Sequence, residues 1–135
     1  ILALAADIPH SERLAAPEAT GKKRSPLCGS TVTVDVSMKD GKVAAFGQDV
    51  KACALGQSAA SVLGAVVIGR TPEELDRAAA ELRAMLKDGG PVPAAPFDGS
   101  EVLEPARDYK NRHASILLAV EAAAEASHQA LAVSA

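Results

Sequence analysis

Cys28-Gly29-Ser30-Thr31-Val32-Thr33-Val34-Asp35-Val36-Ser37-Met38-Lys39-Asp40-Gly41-Lys42-Val43 is the stretch whose reading decides the fold. Val32, Val34, Val36 and Met38 alternate with Thr33, Asp35 and Ser37, and this period of two predicts a half-buried strand. Asp40-Gly41 is a favoured pair for a two-residue type I′ turn, which needs positive φ at both central positions and pairs Lys39 with Lys42. A second strand is then expected over roughly Lys42 to Lys51, with Val43, Phe46 and Val50 apolar. Positions whose numbers sum to 81 face each other across such a hairpin, and Cys28 and Cys53 are such a pair. Without a bulge the two thiols lie opposite one another at the open end, with Cα atoms ~4.5–5.5 Å apart. A bulge at Gly47 would move this register by one residue.

Gly29 lets a backbone or a ligand come close to Cys28, and Cys53 stands just before Ala54-Leu55-Gly56-Gln57-Ser58-Ala59, which reads as the first turn of a helix. The positive end of that helix favours a thiolate over a thiol, and Lys51 adds to the effect. The pair therefore reads as reactive or metal-binding. The competing reading is one buried structural cysteine and one exposed one, because cysteine is often simply a small core residue.

With 135 residues the chain is long enough for one domain with a real core, spanning 1–135, and too short for two comfortable ones. Apolar residues make up 48% of it, yet there are two Phe, one Tyr and no Trp, so the core must be built from Ala, Val and Leu. Aromatic platforms for stacking bases are missing, and a formal net charge of −3 with mixed signs leaves no basic footprint for phosphate or a membrane surface. Nucleic acid and membrane are thus excluded as expected partners. Two cysteines make no disulfide framework, and Ile1-Leu2-Ala3-Leu4-Ala5-Ala6 is too short and lacks the basic flank of a secretory signal. A reducing, cytoplasmic setting is expected. The absence of an initiator Met points to residues missing before Ile1.

Ile1 to Ala6 reads as the end of a helix stopped before Pro9, and Pro17 to Pro26 as an exposed connection in which Lys22-Lys23-Arg24 is a solvated loop. A third strand, if there is one, would come from this region before Cys28. Ala54 to Ile68 is small and apolar nearly all round, as a helix buried on several sides is, with Ser58 and Ser61 returning their hydroxyls to the backbone. Thr71-Pro72-Glu73-Glu74 has the form of a capping box, and Leu75, Ala78, Ala79, Leu82, Met85 and Leu86 form the stripe of an amphipathic helix closed at Gly89-Gly90. A stiff, proline-rich connection follows from Gly90, continuing through Asp98-Gly99-Ser100. The last helix begins between Asn111 and Ser115 and turns Ile116, Leu117, Val120, Ala123 and Ala124 inward. His113 stands at its entrance, whereas His10 and His128 read as surface or capping residues.

Taken together, Leu27-Cys28-Gly29-Ser30, the Val-rich strand, Asp40-Gly41 and Ala52-Cys53-Ala54-Leu55-Gly56-Gln57-Ser58 resemble the core of the IscU/NifU-type iron–sulfur cluster scaffold family. Pro9 to Leu14 is similar to that family's N-terminal proline segment. Leu103-Glu104-Pro105-Ala106-Arg107 is similar to the leucine-proline-proline-valine-lysine site read by a dedicated Hsp70-type chaperone, with a glutamate replacing one proline. The resemblance implies an α+β fold, a small antiparallel β-sheet with helices packed on one face, of the NifU N-terminal and SufE/NifU type. It also implies a non-enzymatic scaffold that receives sulfur as persulfide from a cysteine desulfurase, adds iron, and hands a transient [2Fe-2S] cluster to acceptor apo-proteins. Two family cysteines carry over, as Cys28 and Cys53. The third does not, because His113-Ala114-Ser115 stands where the family has histidine-cysteine-serine, and the family aspartate is Ser30.

Thiolates suit iron–sulfur clusters and zinc, imidazole can replace them, and a hydroxyl is a poor substitute. The candidate metal and cluster site is therefore Cys28, Cys53 and His113, holding Fe, a [2Fe-2S] cluster or Zn, with Cys53 the candidate persulfide acceptor. Two other classes of function stay open. One is a degenerate scaffold that binds desulfurase or chaperone without a cluster; the other is a zinc- or thiol-dependent sulfurtransferase with Cys53 as nucleophile. No Ser/His/Asp set, paired carboxylate site or phosphate-cradling glycine loop supports other catalysis.

Overall fold

The computed structural model describes residue 6, residues 8–25 and residues 29–134. Its sheet has strands β1 (Ala19–Arg24), β2 (Thr31–Lys39) and β3 (Lys42–Lys51), antiparallel in the order β1-β2-β3. Helices α1 (Ala54–Val66), α2 (Pro72–Lys87) and α3 (His113–Ser134) follow, with a 3-10 segment at Phe97–Asp108 and a short one at Lys110–Arg112 before α3. The expected α+β architecture is what the chain forms.

The hairpin turn is as expected, with φ of 55° at Asp40 and 76° at Gly41. The hairpin does carry a bulge, but not at Gly47. It falls opposite Ser37/Met38: Met38 faces Val43 but Ser37 faces Ala45, which leaves Ala44 as the extra residue. Every partner beyond it moves by one, so Thr31 faces Lys51 and the expected sum of 81 does not hold on that side of the bulge. Gly47 is instead a point of close approach. A Cβ there would lie 2.2 Å from the carbonyl oxygen of Glu12, because residues 8–14 cross β3 at this position.

The region before Cys28 supplies the third strand after all. β1 lacks the alternation of β2 because two of its residues are committed to α3: a Cβ on Gly21 would meet the Ala122 carbonyl at 2.7 Å, and Lys23 pairs with Glu125 at 2.8 Å. Lys22-Lys23-Arg24 is therefore strand and not loop.

Val32, Val34, Val36 and Phe46 face the helices and are buried with Leu63, Leu75, Met85, Leu103, Ile116 and Leu117. Burial of each such side chain contributes about 1.5–3 kcal/mol. Gln48 shares this face, its side chain donating to the carbonyls of Pro9 and Ala60, both at 3.1 Å. α2 starts with the expected capping box, Thr71 and Glu74 each bonding the other's backbone amide, and Gly89 follows its end at φ 68°. The stiff, proline-rich connection after Gly90 leads into the 3-10 segment, which buries Phe97, Leu103 and Ala106.

The opposite face of the sheet carries Asp35. It is fully buried, and it accepts from Arg13 Nε, Arg13 Nη2 (3.0 Å), the Leu14 amide (3.0 Å) and the Thr20 hydroxyl (2.7 Å). This cluster ties residues 12–14 down on the outer face. Ile1 to Ala5, expected to be helical, lie outside the described residues.

Candidate functional site

Cys53 is the residue before α1, in extended conformation, at the end of β3 where the sheet opens. Its sulfur makes no formal capping hydrogen bond but lies over the first-turn amides. Burial pushes its pKa up, and this is outweighed by the Gly56 amide, the Ser115 hydroxyl, the Leu55 amide and the Arg112 charge, so the thiol ionises more readily than an ordinary one. The Ser115 Oγ lies 3.6 Å from Sγ and within hydrogen-bond distance of Ser30 Oγ, at 3.0 Å. Ser30 and Ser115 are both buried. A chain of polar groups thus runs from the loop after Cys28, through the first turn of α3, to the thiol.

Gly56 makes this meeting of elements possible. A Cβ there would stand 2.8 Å from Ser115 Oγ and 2.8 Å from the Ala52 Cβ, so only glycine lets α1 and α3 start side by side. Beside the thiol, Leu55, Asp108, Tyr109, Lys110, Asn111 and Arg112 line an open cleft, and Tyr109 is exposed.

His113 is also buried, but it is turned elsewhere. Its Nε2 lies 3.1 Å from the Ala106 carbonyl and 3.0 Å from the Arg107 carbonyl. Carbonyls only accept, so it is Nε2 that donates. Residues two apart on a helix point about 200° apart, and with Ser115 on the thiol the His113 ring is directed toward Leu86, Lys87 and Arg107. Among the described residues no three of His, Cys, Asp and Glu are grouped to hold a metal ion. Cys28, the expected partner of Cys53, lies outside the described residues, between Ser25 and Gly29, whose amide bonds the Ser25 carbonyl at 2.9 Å.

A nitrogen-fixing NifU-like protein (N-terminal) from Brucella abortus is 45% identical to this chain, covering 97% of it and 91% of its own length, with a TM-score of 0.93. The chain belongs to the NifU-like N-terminal family. Two more distant structures share the fold of this NifU-like chain. One is a hypothetical protein (23% identity, TM-score 0.84, 94% and 93% of the two chains). The other is a protein of the thermophile Fervidobacterium islandicum, described as an iron–sulfur cluster assembly scaffold for the SUF system (16% identity, TM-score 0.80, 93% and 91%). No family model matches the sequence, and no curated protein matches it.

Sequence reasoning singled out Cys53 and missed Ser115. Its signal was its place in the first turn of α3, where small polar residues reach a neighbouring helix start; Ser30 had been noted only as the loss of a carboxylate. No described helix is long and apolar enough to cross a membrane.

Proposed function

We propose that this NifU-like chain is a scaffold or carrier in iron–sulfur cluster assembly, a single domain without catalytic turnover of its own, acting in the cytoplasm. Sulfur arrives from a cysteine desulfurase as a persulfide on Cys53, a thiol or electron-transfer protein supplies the two electrons that release its outer sulfur as sulfide and return the cysteine thiolate, iron joins, and a transient [2Fe-2S] cluster or its precursor passes to an acceptor apo-protein. The observation that carries the reading is the Cys53 thiol at the start of α1, part-buried and activated by the Gly56 amide, Ser115 and Arg112. A thiolate held this way is both a nucleophile toward a persulfide and a ligand for iron.

Cys28 and Cys53 are the proposed sulfur ligands for Fe, a [2Fe-2S] cluster or Zn. His113 joins them through Nδ1 once the first turn of α3 reorients, its Nε2 already bonded to backbone carbonyl as the second nitrogen of a ligating imidazole is. An Hsp70-type chaperone reading Leu103-Glu104-Pro105-Ala106-Arg107 requires the 3-10 segment to unwind, because Leu103 and Ala106 are buried.

One observation favours a second reading. The side-chain hydroxyl at the Cys53 sulfur is that of Ser115, backed by Ser30, and a neutral hydroxyl is a poor ligand for iron but a good hydrogen-bond partner for a terminal sulfur. In that reading the chain carries persulfide without holding a cluster, as an adaptor or a sulfurtransferase.

Anaerobic loading with a cysteine desulfurase, cysteine and ferrous iron, with a dithiol reductant for the cluster arm and without it for the persulfide arm, tests both. Iron with matching acid-labile sulfide, absent in Cys53→Ser and reduced in His113→Ala, is the expected result. One added sulfur per Cys53 by intact mass without iron establishes the persulfide carrier. Loading unchanged in Cys53→Ser overturns both.

A further inference from the structure

The two edges of the sheet differ. β3 is covered: Val43 donates to the Arg70 carbonyl at 2.9 Å and accepts from the Gly69 amide at 2.8 Å, and the Gln48 amide donates to the His10 carbonyl at 2.8 Å. β1 has a single neighbour, β2, and no described strand or loop pairs along its other side. Which of its groups face out follows from the ladder. Ser25 donates to the Ser30 carbonyl at 2.8 Å, and directly opposed residues of an antiparallel pair alternate between bonded and non-bonded. Lys23, Gly21 and Ala19 therefore turn their main-chain groups to β2, and Arg24, Lys22 and Thr20 turn theirs to the open edge. All three are exposed.

The charges along this edge are one-sided. Lys23 is neutralised by Glu125, but Lys22 and Arg24 have no ion pair among the described residues. They lie on the same face as Thr20, whose hydroxyl reaches Asp35, away from α3. Two unpaired cations flanking unpaired N–H and C=O groups oppose pairing with a second copy of β1, which would bring like charges together, and favour an acidic strand. The strand leads to Ser25, which bonds Ser30, and the Ser30 hydroxyl bonds Ser115 beside Cys53.

We propose that the open edge of β1 is a docking site on which an extended, acidic segment of a partner protein adds as a fourth strand. The main chain of Thr20, Lys22 and Arg24 supplies the ladder, and Lys22 and Arg24 select the charge. The segment's end is thereby delivered to the mouth of the cysteine site. The pairing does not depend on what Cys53 carries.

The test uses the full chain and a soluble peptide alternating Glu and Thr as the probe, with a matched Lys/Thr peptide as control. In the free protein the amides of Lys22 and Arg24 exchange fast; protection of them there overturns the proposal, because another segment then already covers the edge. Added acidic peptide protects both and leaves Lys23 unchanged, and the Lys/Thr peptide does neither. Charge reversal by Lys22→Glu with Arg24→Glu weakens binding about tenfold. Lys22→Pro removes an outward N–H that β2 does not use, and it abolishes the protection at Arg24 with the charge on Arg24 intact. Equal binding of the two peptides, shifts confined to other elements, or concentration-dependent self-association through β1 overturns the proposal. Loss of cargo loading in Cys53→Ser leaves it standing.

Discussion

On the outer face of the sheet Asp35 is fully buried and accepts four hydrogen bonds, one from a backbone amide and two from a guanidinium. At the open end Cys53 is part-buried, and the hydroxyl nearest its sulfur stands at 3.6 Å. Both groups are held as anions more readily than usual, and in both burial opposes this. At Asp35 every lone-pair direction is used, so the charge fastens residues 12–14 to the sheet and does no chemistry. At Cys53 the opposing groups are the Gly56 and Leu55 amides, the Ser115 hydroxyl and the Arg112 charge, which do not saturate the sulfur. A saturated anion stabilises a fold, and an unsaturated one is available to a ligand.

The largest expected effect that would break this contrast is at Asp35. Asp35→Ala leaves the Leu14 amide and the Thr20 hydroxyl without their acceptor and should lower stability by about 2–3 kcal/mol, with Cys53 alkylation unchanged in the folded protein. Urea unfolding and peptide-resolved alkylation measure the two arms. The pH dependence follows from the sign of the shift. Burial raises the Asp35 pKa, but Arg13, Thr20 and the Leu14 amide lower it further, so the net folded value lies below the unfolded one. Its contribution is present above the unfolded value of about 3.9 and is lost as pH falls through the folded value. Asp35→Asn should flatten the stability profile in that acid range, and an unchanged profile would show that the carboxylate is not what fastens the segment.

A smaller effect is expected where α1 meets α3. Gly56→Ala forces apart Ser115 and the first turn of α1, and overpacking of this kind costs about 1–3 kcal/mol. It should also slow Cys53 alkylation, which Asp35→Ala does not. The smallest change sharpens the contrast most. Ser115→Ala removes one of the groups that lower the Cys53 pKa and should slow alkylation of Cys53 at neutral pH about twofold, with stability within about 1 kcal/mol of the parent. A faster reaction would mean that the hydroxyl shields the sulfur instead of activating it.

The parts of the fold that local chemistry specifies were legible in the sequence. Asp40-Gly41, the Thr71–Glu74 box and the Leu75–Leu86 stripe each act within a turn or two of chain, and each formed as read. The bulge at Ala44 was hidden because Val43-Ala44-Ala45 carries no residue that marks an irregularity. β1 was hidden because its inward positions are a glycine pressed on Ala122 and a lysine paired with Glu125, neither of which looks like a buried strand face. Asp35 read as a solvent-facing strand residue because Arg13, its partner, is 22 residues away. At the site the cysteine before a helix could be seen, but the Ser30–Ser115–Cys53 chain could not, since Ser30 and Ser115 are 85 residues apart. The turning of His113 toward the Ala106 and Arg107 carbonyls likewise depends on the 3-10 segment, whose proline-rich approach gave no sign of winding.

The segment at residues 8–14 has a consequence for biosynthesis. It leaves the ribosome before these partners: Arg13 waits for Asp35, and Pro9 waits for Gln48, 39 residues later, and for Gly64 beyond that. At 5–20 residues per second the Gln48 contact alone is delayed by roughly 2 to 8 seconds. Residues 8–14 therefore wait as an unpaired segment until β3 and α1 have been made.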